Sequence, residues 1–316
     1  MLDFKPVSAI FLKDMRAYLG NPTGYVFITL FIMATGSAAF LQEEFFARNL
    51  ADLATLNAVM PAILMFFVPA ITMNAWAEER RGGTDELLLT LPIRDGEVVL
   101  GKYLGVLGMF SVSLALTAAA QLGVLMYLGE PDKGLMFSTF SGYWLMGALF
   151  ASIGLVGSML TLNTTVAFIL GALGCLGLVL TGTLPWASGV VGISLFGLVA
   201  ALSWWVVRGT PSGSGLVGLA GAAVGVLLWQ SRNISGDESG DGEAATDAAA
   251  QGGEVAVDAV ADLSTRFEDV FASLSVSDHF SSFGEGVIRL GDVAYFIGGV
   301  TLLLYLCAFL LGRRHW

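Results

Sequence analysis

Long apolar runs are the feature that most constrains this chain. A helix that crosses the hydrocarbon core of a bilayer needs about 20 mostly apolar residues. Eight runs of about that length occur, and none of them contains Asp, Glu, Lys, Arg or His. The runs are continuous rather than alternating at every second residue, which favours helices over barrel strands. They cover 24–41, 57–77, 103–128, 139–160, 166–184, 188–207, 213–230 and 293–312.

These runs predict an all-α, polytopic transmembrane helical bundle of about eight spans. Of the 316 residues only 13% are charged, whereas soluble domains carry about a quarter charged residues. The fifth to seventh runs are Gly-rich and closely spaced, so six or seven spans also fit the pattern. Cys175 and Cys307 both lie inside apolar runs, which argues against a disulfide framework or a thiolate metal site.

The Lys and Arg residues of the short loops predict the orientation, because loops that stay in the cytoplasm are enriched in them. Such residues precede the first run, separate the second from the third, follow the sixth and close the chain: Lys5, Lys13, Arg16, Arg80, Arg81, Arg94, Lys102, Arg208, Arg313 and Arg314. We therefore predict a multi-pass inner-membrane protein with both termini in the cytoplasm. The transmembrane part is 24–230 followed by 293–316, and residues 231–292 lie outside the cell membrane.

Two segments outside the spans have their own character. Residues 1–23 carry apolar side chains at helical spacing, which predicts a short amphipathic helix on the cytoplasmic leaflet, ending at Asn21-Pro22. A solvated leader and a cleaved signal peptide are the alternatives. Residues 236–270 hold ten acidic residues against Arg266 alone, which argues against nucleic acid as a partner. This acidic segment begins as a polar linker and continues, from about residue 256, as an amphipathic helix.

The absence of ionisable residues from the runs restricts the function. Charged groups inside a bilayer usually mark proton relays, ion sites or charge sensors. We therefore disfavour a proton-driven transporter and an intramembrane enzyme, and expect energy to enter from outside the membrane. His279 and His315 have no neighbours at metal-ligand spacing, so a surface role is the expectation for both.

The charged segment between the second and third runs, residues 78–102, is the candidate entry point. Gly82-Gly83 should end the helix that leaves the second span, and Thr84 is a good N-cap for a new one. Residues 84–92, the leucine segment, then present four leucines before Pro92. A helix this short cannot form a core, so its leucines lie either in the membrane interface or in a groove of another protein.

Residues 96–102 match the spacing G-x-x-x-x-G-K of a phosphate-binding loop. Tyr103 nevertheless stands where Ser or Thr should meet magnesium, and an apolar run follows at once. We therefore expect no ATP site here, and expect Lys102 to extend along the membrane edge toward the headgroups.

Residues 77–106, AEERRGGTDELLLTLPIRDGEVVLGKYLGV, resemble the cytoplasmic loop of type-2 ABC exporter permeases, in particular the gliding-motility and nitrous-oxide-reductase-maturation branch. Residues 274–297 resemble that branch's outer segment before the last span, and FLKDMRAYLGNPTGYVF resembles its elbow helix and first span. The chain departs from the branch at 185–273, which predicts six family-like spans plus two inserted ones.

The resemblance implies a permease subunit of an ATP-driven exporter that works by alternating access. A separate ABC ATPase subunit would hold ATP and magnesium, so this chain would be no enzyme and would carry no cofactor. The implied coupling residues are Glu78, Glu79, Arg80, Arg81, Thr84, Asp85, Glu86, Leu87, Leu88, Leu89, Leu91 and Pro92. Expected partners are the ATPase, a second permease copy, membrane lipid and an extracytoplasmic accessory protein. The competing interpretation is a non-transporting membrane anchor that recruits such an extracytoplasmic partner.

Overall fold

The computed structural model describes residues 4–41, 52–83, 93–183 and 274–312. Their regular structure is entirely helical, in agreement with the predicted all-α class. The helices are α1 Phe4–Gly20, α2 Pro22–Phe40, α3 Ala54–Thr72, α4 Asn74–Arg81, α5 Asp95–Leu128, α6 Lys133–Leu160, α7 Thr164–Thr183, α8 Val276–Gly284 and α9 Leu290–Gly312.

Six helices of the described ranges are long and apolar enough to cross a membrane. They correspond to the first five and the last of the predicted runs, with α3 and α4 together forming one span. The chain is thus a multi-pass membrane protein. The predicted runs 188–207 and 213–230 and the acidic segment lie outside the described residues, so the count of eight spans stays a prediction.

Several helices begin earlier than their apolar runs, because polar residues cap their first turns. The Asp132 carboxylate accepts hydrogen bonds from the amides of Gly134, at 2.8 Å, and Leu135, at 3.4 Å, at the start of α6. The Glu97 carboxylate accepts one from the amide of Arg94 at the start of α5. These caps satisfy amides that have no partner within the helix. The helices therefore extend beyond the apolar runs that predicted them.

The chain divides into two compact units. The first comprises Met1–Leu176 and Ser277–Trp316, and holds almost all described residues. The second comprises Gly177–Val276, of which the last residues of α7 and the first of α8 are described. In that second unit the Thr181 hydroxyl donates to the carbonyl of Gly177, one turn earlier.

Within the first unit, α6 packs against α3, α4, α5 and α9. Glycines of α6 also permit close approaches of α7 and α8. A Cβ added to Gly142 would lie 2.7 Å from the Cβ of Phe283, and one added to Gly157 would lie 3.0 Å from the amide nitrogen of Gly171. The glycine spacing in the sequence predicts this kind of tight packing between membrane helices.

The helix termini of this unit gather at two opposite ends of the bundle. At the first, the α1 end, the last residue of α9 meets the first residue of α5: a Cβ added to Gly312 would lie 3.0 Å from Asp95 Oδ2. At the second, the α8 end, Gly284 lies beside Asn57 of α3, and Gly286 beside Leu135 of α6. The described members of the predicted coupling set, residues 78–81, lie on α4 at the α1 end.

Candidate coupling site

Helix α4 is the short continuation of the second span toward the leucine segment. Its first turn is fixed by Ser158 of α6, whose hydroxyl oxygen accepts hydrogen bonds from the amides of Trp76, at 3.0 Å, and Ala77, at 3.1 Å. The same hydroxyl donates to the carbonyl of Met73, the residue between α3 and α4. Because the initial amides of a helix have no partner of their own, this hydroxyl stabilises the joint between α3 and α4.

The far end of α4 is attached to α6 by Arg80. Its Nη1 donates to the carbonyl of Met159 at 2.6 Å and to that of Thr161 at 3.4 Å. The final carbonyls of a helix lack partners within it and carry partial negative charge. Arg80 thus caps the C-terminus of α6 and holds α4 against it.

Glu79 joins three helices through its carboxylate. Its Oε1 lies 2.7 Å from Nζ of Lys13, on α1, and its Oε2 lies 2.6 Å from Nζ of Lys102, on α5. We call Lys13, Glu79 and Lys102 the charged cluster. The two lysines differ in environment, since the side chain of Lys13 is 59% exposed and that of Lys102 is 2% exposed.

Lys102 is buried inside the protein, so the expectation that it extends along the membrane edge is wrong. Its ammonium also donates to the carbonyl of Ala75 at 2.7 Å and lies 4.8 Å from the centroid of the Trp76 ring. A carboxylate, a carbonyl and an aromatic face replace the water that a headgroup position would have offered. Residues 96–102 are part of helix α5, which is not the geometry of a phosphate-binding loop.

Helix α1 lies across α5 on three glycines. Cβ atoms added to Gly101 and Gly105 would each lie 2.8 Å from a Cβ on α1, that of Ile10 and that of Asp14 respectively. One added to Gly108 would lie 2.9 Å from the sulfur of Met15. The predicted amphipathic helix of residues 1–23 is therefore confirmed as a helix, but part of its apolar face packs on protein, where Ile10 is buried.

The charges on α1 respond to this packing. Burial raises the pKa of Asp14, although the charges of Lys102 and Lys13 act in the opposite direction. Burial also lowers the pKa of Lys13, but the hydrogen bond to Glu79 and its charge outweigh burial, so the pKa lies above its ordinary value. Lys13 is thus held in its charged form against Glu79.

The predicted break at Gly82-Gly83 is confirmed. Helix α4 ends at Arg81, where the amide of Gly82 donates to the carbonyl of Glu78. Gly83 adopts φ 67°, a left-handed conformation that favours glycine. Glu78 and Arg81 are exposed on the last turns of α4. Eight predicted coupling residues lie outside the described ranges: Thr84, Asp85, Glu86, Leu87, Leu88, Leu89, Leu91 and Pro92.

A second polar group, which the sequence did not suggest, lies at the α8 end. Asp292 accepts a hydrogen bond from the Ser282 hydroxyl through Oδ2, and its Oδ1 lies 2.8 Å from Nδ1 of His279. The His279 ring stacks on Tyr295. We call His279, Ser282 and Asp292 the histidine cluster. Among the described residues, no group of three or more His, Cys, Asp or Glu side chains could hold a metal ion. The histidine cluster instead fixes α8 to the start of α9.

Comparison with known proteins gives one informative match. The model of a family described as ABC-2 family transporter protein matches residues 9–207, more than half of the chain. The match begins within α1, includes all of α2 to α7 and covers the charged cluster. No curated protein matches the chain.

Proposed function

Because the chain belongs to the ABC-2 transporter family, as a multi-pass permease, we propose that it is the membrane subunit of an ATP-driven exporter, moved by a separate ATPase that docks on the leucine segment. One observation carries this proposal. Helix α4 is held by α1, α5 and α6 and ends only two residues before the leucine segment. A force applied to that segment would therefore reach three other helices.

The leucine segment fits a docking role better than a role in the membrane interface. The segment begins two residues after α4, whose last residues are charged, and its four leucines follow Thr84, Asp85 and Glu86. A helix of this length is marginal in water unless another surface packs on it. Full burial of one leucine contributes roughly 1.5–3 kcal/mol, so a protein groove that covered two or more would bind firmly.

The proposed orientation places the α1 end in the cytoplasm and the α8 end outside, in the inner membrane. Supporting it, seven basic residues of the described ranges belong to α1 or to the segments that flank α4 and the start of α5: Lys5, Lys13, Arg16, Arg80, Arg81, Arg94 and Lys102. Only Lys133 and Arg289, among the described residues, belong to the segments of the α8 end. Lys and Arg are enriched in cytoplasmic loops.

The remaining parts of the proposal follow from the family. Two permease copies would associate with two ATPase subunits, which would supply the ATP and Mg²⁺ sites. ATP-driven closure of those subunits would switch the permease between inward- and outward-facing states. Membership of the gliding-motility and nitrous-oxide-reductase-maturation branch is part of this proposal and rests on the resemblance of residues 77–106.

The test is the double variant Leu87→Asp/Leu88→Asp. Loss of two leucines that the proposal places in a groove of the ATPase should remove several kcal/mol of docking, which lowers the affinity by orders of magnitude at about tenfold per 1.4 kcal/mol. The ATPase subunit should no longer co-purify with the permease from its native host, although the permease still inserts and folds.

The matched control is Leu87→Met/Leu88→Met, which keeps two apolar side chains of similar volume. It should retain the ATPase. Normal retention of the ATPase by a well-folded Asp variant would refute docking on the leucine segment. If no ATPase co-purifies even with the unaltered chain, the result would favour a non-transporting membrane anchor instead.

A further inference from the structure

The two ion pairs of Glu79 differ in how easily they break. The pair with Lys102 is buried, and the same ammonium is also bound to the carbonyl of Ala75. Breaking a buried pair leaves an uncompensated charge, which is strongly unfavourable. The pair with Lys13 is formed by a side chain that is 59% exposed, and exposed pairs are weak and exchange readily.

The unequal pairs lie where α1, α4 and α5 meet. The glycines of α5 hold α1 by close packing, and the Tyr18 hydroxyl donates to the carbonyl of Ile71 at the end of α3. Helix α1 also leads directly into α2, because α1 ends at Gly20 and the next residue, Asn21, is the N-cap of α2. A displacement of α4 can therefore reach the first span through α1.

We propose that Lys102, Glu79 and Lys13 are positioning residues that transmit a displacement of α4 to α5 and α1 when the ATPase displaces the leucine segment. Lys102–Glu79 is the fixed connection between α4 and α5. Lys13–Glu79 is the adjustable connection that determines how closely α1, and with it α2, follows α4. This inference rests on the proposed function, since it concerns the response to a docked ATPase.

A purely structural role for the charged cluster makes a different prediction. Loss of a structural contact lowers thermal stability and yield, but each permease that still folds and binds the ATPase works at the normal rate. Loss of a transmitting contact leaves the ATPase bound and its KM for ATP unchanged, and lowers the rate at which the assembled complex hydrolyses ATP.

The experiment uses the full permease with its co-purified ATPase, reconstituted into lipid vesicles. Lys13→Gln removes the adjustable connection, and Lys13→Arg preserves it. Glu79→Gln/Lys102→Met removes the fixed connection, and with it the pair to Lys13, without leaving a buried charge, since replacing both members of a buried pair is often neutral for stability. Arg16→Gln is the matched control, because Arg16 is another exposed cation of α1, one turn from Lys13.

For each complex we compare the bound ATPase, the apparent thermal midpoint, and kcat and KM for ATP relative to the isolated ATPase subunit. We expect Glu79→Gln/Lys102→Met to lower kcat at least about tenfold with the ATPase still bound. We expect Lys13→Gln to lower it about two- to fivefold, as suits an exposed pair, with rescue by Lys13→Arg. Arg16→Gln should match the unaltered complex.

A normal kcat in Lys13→Gln and in a folded, ATPase-bound Glu79→Gln/Lys102→Met would overturn the inference. A fall in kcat that Arg16→Gln shows equally would overturn it too, because the effect would then belong to the net charge of α1. If the double variant does not fold, the contrast between Lys13→Gln and Lys13→Arg decides alone. Failure of the proposed function is seen separately, as absence of an ATPase from the unaltered preparation.

Discussion

The charged cluster and the histidine cluster are both polar groups at the ends of an apolar bundle, but they join helices at different separations in the sequence. Lys13 and Glu79 are 66 positions apart in the sequence, and the cluster they form with Lys102 joins three helices. His279 and Asp292 are 13 positions apart, and their cluster joins two successive helices. The first transmits displacement between distant parts of the chain, whereas the second fixes one local turn.

The basic residues of the two clusters also differ in burial. Lys102 is almost completely enclosed, at 2% exposure, so Glu79 and the carbonyl of Ala75 replace water around its ammonium. The side chain of His279 is 26% exposed, so water can replace a lost partner there. Substitutions should therefore lower stability much more at the α1 end than at the α8 end.

The single variant Glu79→Gln should be the most damaging. It leaves the buried ammonium of Lys102 without a carboxylate, a change that typically costs about 3–5 kcal/mol. We expect a large fall in folded yield and in the apparent thermal midpoint measured in detergent. Exposed Glu285→Gln at the other end is the control and should be neutral. Equal stability of the two variants would remove the basis for the contrast between the clusters.

Gly105→Leu should separate α1 from α5. A Cβ at this position would already lie 2.8 Å from the Cβ of Asp14, and overpacking of this kind costs about 1–3 kcal/mol. A cysteine at the buried position Ile10, with Cys175 and Cys307 replaced, should become reactive toward a thiol reagent. Gly123→Leu is the matched control, because a Cβ at Gly123 of the same helix meets open space. Continued protection of residue 10 in Gly105→Leu would show that α1 is held mainly by its charges.

Asp292→Asn should have the smallest effect of the three. The Ser282 hydroxyl and the His279 ring lose a charged partner, but the side-chain oxygen of the introduced asparagine can still accept a hydrogen bond and the His279 side chain is 26% exposed, so we expect a cost of about 1 kcal/mol. We expect faster proteolysis near α8 and an unchanged thermal midpoint for the bundle, with Glu285→Gln again as control. A fall in the thermal midpoint as large as that of Glu79→Gln would mean that the histidine cluster stabilises the whole bundle, and not only the contact between α8 and α9.

The sequence predicted the membrane helices because hydrocarbon imposes a length and a composition that are visible in every run. It also predicted the breaks at Asn21-Pro22 and Gly82-Gly83, since proline and glycine act locally. The first turns of α5 and α6 were missed, because polar caps such as Asp132 are not part of the apolar pattern.

The charged cluster could not be predicted from the sequence pattern, for a different reason. Glu79 and Lys102 each lie just outside an apolar run, where a charge is ordinary. Nothing in the pattern pairs Glu79 with Lys102, or with Lys13, which lies 66 positions away. The glycines at 101 and 105 did signal a close helix contact, although not that α1 would be the partner. For His279, the absence of neighbours at metal-ligand spacing predicted a surface role, whereas its ion-pair partner Asp292 lies on the following helix.

Docking of the ATPase on the leucine segment can be tested directly by mapping where the ATPase contacts this chain. A photo-crosslinking amino acid placed at Leu88 should capture the ATPase subunit on irradiation of the native membrane, and the same amino acid at Glu285 should not. That result would place the ATPase at the leucine segment and the α1 end in the cytoplasm. Capture from residue 285, or no capture from residue 88 while the ATPase still co-purifies, would contradict the account.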